Sequence, residues 1–222
     1  MQEAPALTRL ANQNTFGDMQ SAWPDQAISF ALLPYDQRDT REAGVRLMHE
    51  LATLQRAALV RGNDASRSAM AQWRSVIMAQ LNAPLRSRHL PASERLPLSE
   101  LAHWGYCQPP PWVEVWSIHG VSRQPWRPSL TLESVSESRS AASTHAWHIS
   151  PQGQAERHGI AEWNNEPVLL ARGSRVVVEW PAQYPSMGVN VERRWVNERL
   201  PQWLATQLPG EDCQIWPQEK SQ

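Results

Sequence analysis

Three consecutive prolines, Pro109-Pro110-Pro111, constrain this chain more than any other feature. Proline lacks a backbone donor and fixes φ, so neither a helix nor a central strand can run through the triplet. It reads as a stiff linker and a boundary. The hydrophobic period changes across it, from helical before to alternating after.

On the N-terminal side, apolar residues of the 36–60 stretch fall at Ala43, Leu47, Leu51, Leu54 and Ala58, the spacing of one helical face. Arg61-Gly62-Asn63-Asp64 ends that helix, and Asp64 or Ser66 offers a cap to a second one. Met70, Trp73, Ile77 and Leu81 line its face, and it stops before Pro84. The short link predicts an antiparallel helical hairpin. Upstream, residues 7–12 read as a short helix, Trp23-Pro24 as a turn, and residues 27–33 as a strand ending before Pro34. Residues 86–111 are rich in proline and arginine, so no long regular element is expected there.

After the triplet, VEVWSI alternates with apolar residues on both faces, which predicts a well-covered strand. SLTLESVSES places Leu132 and Val135 at a helical interval. AWHIS is a strand, Pro151-Gln152-Gly153 a turn and QAERHGI its returning partner. Leu169 and Leu170 precede a glycine turn, and residues 175–180 form a last strand. A final helix over 189–200 carries Val191, Trp195, Val196 and Leu200 as its stripe and ends at Pro201, with QWLATQL as a further apolar patch. EDCQIWPQEKSQ reads as a tail. The order implies an α+β chain with a small sheet curled over one helix.

Composition narrows the function. A net charge of −1 lacks the basic excess of a nucleic-acid binder. Lys220 is the only lysine among 21 basic residues, so an anion site here uses forked guanidinium groups. Most of the 12 tryptophans are expected in the core. No apolar run approaches the roughly 20 residues of a membrane span. Met1 to Ala11 carries neither the basic nor the apolar part of a secretory leader. Cys107 and Cys213 are too far apart for a metal motif; they either pair in an oxidising compartment or stay free, and free thiols are the commoner outcome for two such residues.

Catalytic signatures are not found. His49, His89, His103, His119, His145, His148 and His158 are scattered, and neither HExxH nor CxxC occurs, so no metal site is expected. There is no G-x-S-x-G elbow and no glycine-rich phosphate loop, so neither a catalytic residue nor a cofactor is assigned. A carboxylate pair drawn from Glu94, Glu100, Glu114 and Glu133 keeps a polysaccharide-modifying enzyme open. In SRQPWRP, Arg123, Trp126 and Arg127 offer an aromatic face and two forked cations to an acidic sugar, against a turn whose Trp126 folds back on the core. Trp195, Trp203 and Leu204 are candidates for contact with a partner, against docking of the last helix on its own domain.

VWSIHGVSRQPW, followed by SLTLESV, WHISPQG, EWNNEPVLLARGSRVVVEW and VNVERRWVNERLP, resembles the C-terminal half of the GfcC/YjbG family of capsule biosynthesis proteins. The resemblance covers roughly residues 112 to 201, is looser over 36 to 95 and is poor before 36. It implies two β-grasp-like units, the second akin to the soluble ligand-binding β-grasp (SLBB) domains of polysaccharide export channels, plus a helical insertion and a C-terminal amphipathic helix. On that basis residues 1–35 and 83–111 form a first unit, incomplete at its N-terminus, 36–82 the helical hairpin, 112–186 the second unit and 187–222 the last helix and tail. The missing opening hairpin is absent either from this sequence or from the protein.

The family implies a periplasmic accessory role in capsule or exopolysaccharide assembly or export, without catalysis. Surface polysaccharide and the outer-membrane export machinery are the expected partners, with a leader presumed absent from this sequence. It also implies a cleft arginine after the hairpin. In LRSRHLP that is Arg86, with Arg88 left open because the family's preceding glycine is lacking. A purely structural interaction module remains the third reading.

Overall fold

Helical spacing turns one face of each of two long helices toward a common core. The computed structural model describes residues 27–87, 97–136, 143–182, 188–210 and 212–217. The helix expected at 7–12, the Trp23-Pro24 turn, Arg88 and Glu94 lie outside them. Strand β1 (Ile28–Leu32) leads into α1 (Asp36–Val60) and α2 (Asp64–Gln80), and β2 (His103–Cys107) follows. The cap of α2 is Asn63, whose side chain accepts from Ser66 N at 3.0 Å, rather than Asp64 or Ser66. α1 buries Gly44, Leu47, Leu51, Leu54 and Ala58, whereas Ala43 is exposed. Gly44 takes the core position because a Cβ there would lie 2.6 Å from Leu81 Cδ2 and 2.8 Å from the Trp203 indole nitrogen.

Beyond the prolines, β3 (Trp112–Ser117) and β4 (Gly120–Pro125) form a hairpin, followed by α3 (Leu132–Ser136), β5 (His145–Ile149), β6 (Ala155–Gly159) and β7 (Arg175–Val178). The five-stranded sheet has the order β4-β3-β7-β5-β6. β3 and β7 are parallel, while the other pairs are antiparallel. Strand alternation gives each face its own core. Val113, Val115, Ala146, Val176 and Val178 pack on one face with Leu130, Leu132 and Val135 of the α3 region. Trp116, Ile149 and Val177 face the helices on the other. There Trp73 meets Trp116 and Trp180 edge-to-face at 5.5 and 5.4 Å, a favoured aromatic geometry.

Helix α4 (Asn190–Leu204) contains Pro201 instead of ending at it. Proline removes one intrahelical bond, but Ala205 N still donates to Pro201 O at 3.0 Å. Burial of Leu200, Trp203 and Leu204 offsets the lost bond. Val191, expected on the buried stripe, is exposed.

The tail reading also gives way, because Cys213–Pro217 is a strand, β8, paired with β2. It completes an antiparallel sheet of order β1-β2-β8. Cys107 and Cys213 face each other in that register with Cα atoms 4.0 Å apart and form a disulfide, not two free thiols. Among the described residues no helix is long and apolar enough to cross a membrane.

Candidate functional site

Helix α2 lies across the outer strand of the β3–β4 hairpin, and a side-chain amide holds it there. Gln72 Nε2 donates to Val121 O at 3.0 Å, and Val121 N donates to Gln72 Oε1 at 3.1 Å. The glutamine thus occupies the place of a neighbouring strand on an edge that would otherwise stay open. Beside this contact the helix, the sheet and residues 207–210, Cys213 and Ile215 enclose a cleft of about 770 Å³. Ser75 and Gln80 line one wall, Trp112 and Arg123 another, and Glu114 and Arg175 lie deeper.

The charges follow from strand register. Glu114 pairs with Arg123 across β3–β4 and with Arg175 across β3–β7. Its carboxylate accepts from the Trp116 indole at 2.9 Å and faces Arg175 Nε at 3.5 Å and Arg123 Nε at 3.9 Å. Arg123 remains half-exposed, and its guanidinium carbon lies 4.8 Å from the Trp112 ring centroid, within cation–π range. Arg175 is buried and donates to the carbonyls of Leu204, Gln207 and Leu208. Burial pushes its pKa down, and the Glu114 charge opposes that shift.

Arg86 has another place. Its guanidinium is interior and donates to Ala205 O at 2.8 Å, Gln207 O at 3.0 Å and Pro151 O. It therefore fastens the β5–β6 turn to the end of α4. Gly153, at φ +92°, lets that turn approach, since a Cβ there would lie 2.8 Å from Arg86 Nε. Burial, and next the Arg175 charge, lower the Arg86 pKa to about 9, which still leaves it charged at neutral pH. Arg86 sits behind the cleft rather than on its wall.

The other expected residues do not converge on the cleft. Trp126 folds inward, donating to Leu170 O at 2.7 Å, and Arg127 is exposed outside the cleft lining. Trp203 and Leu204 are core residues, Trp203 donating to Thr40 O at 3.1 Å, so neither offers a surface to a partner. Trp195 is half-buried with the Arg46 guanidinium 4.6 Å over its ring. Glu100 and Glu133 are exposed, and Glu114 is the only carboxylate among the described residues lining the cleft. No group of three or more potential metal ligands occurs among the described residues.

Trp112 and Arg175 were not singled out from the sequence. A charged residue opening the valine strand RVVVEW, one that packs on both faces, was the available signal for Arg175.

No curated protein matches this chain. A family model does, over β4, α3, β5, β6, β7 and α4, while β3, which carries Trp112 and Glu114, lies before the matched stretch. Residues 121–209 match the family described as capsule biosynthesis GfcC C-terminal, a match that supports a GfcC-like, capsule biosynthesis-related protein.

Proposed function

We propose that this chain is a periplasmic, non-enzymatic accessory protein of capsule or exopolysaccharide assembly or export, and that it binds polysaccharide in the α2–sheet cleft. One observation carries the reading: the wall formed by Trp112 and Arg123 above the buried Glu114–Arg175 pair. Aromatic faces stack on sugar rings, and forked cations orient polar substituents. In this reading residues 112–186 form a β-grasp unit of SLBB type, residues 36–82 are a helical insertion, and the β1-β2-β8 sheet is the remnant of a first unit. Arg123 is the ligand contact and Arg86 the brace behind it.

The Cys107–Cys213 bond supports a periplasmic setting, since disulfides persist in oxidising compartments. Among the described residues one carboxylate lines the cleft, which supports binding over glycoside cleavage, a reaction that uses two. Calorimetric titration with fragments of capsular polysaccharides and exopolysaccharides tests the ligand. We expect saturable binding that weakens in W112A and R123A. Failure to bind any fragment would shift the reading to a structural interaction module. Cross-linking in cell envelopes tests the export machinery as partner; capture of an export component supports it, and recovery of cytosolic proteins alone counts against it.

A further inference from the structure

The five-stranded sheet blunts one of its edges and leaves the other open. At β4, Gln72 occupies Val121, and the strand ends at Pro125, which has no N–H to offer. At β6, hydrogen-bond parity decides what faces outward. Ser150 N donates to Gln154 O at 2.8 Å and Ile160 N to Thr144 O at 3.0 Å, at the two ends of the β5–β6 ladder. Bonded pairs alternate in an antiparallel ladder. Glu156 and His158 therefore turn their backbone groups toward β5, and Ala155, Arg157 and Gly159 turn theirs away. Glu166 N takes Gly159 O at 3.3 Å. No described residue bonds the outward groups of Ala155 and Arg157.

The loop that follows is fastened at the end of this edge. Asn164 Oδ1 accepts from Ala161 N at 2.9 Å, its Nδ2 donates to Thr144 O at 3.2 Å, and Glu166 accepts from His158 Nδ1 at 2.9 Å. Yet the loop holds Trp163 at 76% exposure, an indole left in water on a braced support. Glu156 on the strand and Glu162 in the loop are exposed as well. The Arg157 guanidinium lies on the opposite face of β6, held by Glu179 at 2.6 and 3.0 Å. A second copy of this chain is a poor occupant: bonding Ala155 to Arg157 of the copy sets Glu156 opposite its own equivalent, a like-charge pair.

We propose that the β6 edge takes an extended, basic segment of a partner protein as a sixth strand, with Lys or Arg opposite Glu156 and Trp163 as the apolar anchor at its end. Main-chain bonds to Ala155 and Arg157 supply affinity, and the exposed carboxylates select the sign of the incoming strand. β6 and β4 are opposite edges of the sheet, so this site stands apart from the α2–sheet cleft and does not depend on the glycan reading.

Panning a random dodecapeptide display library on the full chain, followed by anisotropy titration of the recovered peptides, tests this. We expect peptides in which Lys or Arg alternates with apolar residues. E156K and W163A, both at exposed positions, should each weaken them about tenfold. E100K, the same charge reversal at an exposed residue before β2, should leave binding intact. N-methylation of one alternate set of peptide nitrogens should abolish binding while the other set tolerates it, the signature of strand pairing. Hydrogen exchange at the Ala155 and Arg157 amides should slow in the complex. Failure to enrich any peptide, recovery of acidic peptides, binding that survives both E156K and W163A, or unchanged exchange at those two amides would overturn the proposal.

Discussion

Replacing Cys107 and Cys213 by serine removes a link between residues 106 positions apart in sequence. Chain-entropy reasoning puts the stabilisation from closing a loop of this size at about 4.8 kcal/mol at 25 °C. The native state loses no shape, because β2 and β8 keep their ladder and Trp104 still stacks on Trp216 at a centroid distance of 4.8 Å. The expected result is a urea midpoint lower by roughly 2 M for the double variant, taking a slope of about 2.5 kcal/mol per molar. Wild type treated with reductant should move by the same amount. Tryptophan fluorescence and far-UV circular dichroism should report coincident transitions. An unchanged global midpoint with loss of only the Trp216 signal would refute the reasoning: β8 would then detach locally, and the bond would constrain only a strand end.

Arg86→Met leaves the Ala205 and Pro151 carbonyls without the donors they have now, and we expect about 3–5 kcal/mol of destabilisation by chemical denaturation, with Arg86→Lys retaining part of it. Gly44→Ala places a methyl against the Trp203 indole and should lower stability by about 1–3 kcal/mol in the same assay. Acidification should also destabilise the fold. His103 and His148 have pKa values held below the ordinary histidine value, chiefly by burial. The unfolded chain therefore binds protons first, and stability present above about pH 6.5 declines as pH falls through the native-state values. His103→Gln, which can still donate to the Leu85 carbonyl, should flatten part of that slope in melts between about pH 7 and 5.

The helical hairpin was legible because Leu47, Leu51, Met70, Trp73 and Ile77 repeat a local period that burial on one face requires. Strand β3 and the short α3 were legible for the same reason, whereas β4, which carries SRQP, was read as a loop. β8 was not: CQIWP is short, and its pairing with residues more than a hundred positions away leaves no local signature. Pro201 misled because a proline's missing donor is a local cost, whereas the burial of Trp203 and Leu204 that offsets it is a tertiary gain. Gly44 could not be told from Ala43 without knowing that a tryptophan from α4 would need the space. For the cleft, the sequence pointed to the right segment through Arg123, which lies on strand β4 and not in a loop, but paired it with Trp126, which faces the core, instead of Trp112. Cross-strand register selects that partner, and register depends on a turn geometry that composition does not specify.

The central claim is that the α2–sheet cleft receives glycan against Trp112 and Arg123. Side-chain NMR during titration with capsular polysaccharide fragments tests it most directly. The account predicts saturable shifts of the Trp112 indole and Arg123 guanidinium resonances, while Trp163, exposed outside the cleft, stays unmoved. Shifts centred on Trp163, or none at Trp112 and Arg123 under saturating ligand, would contradict it.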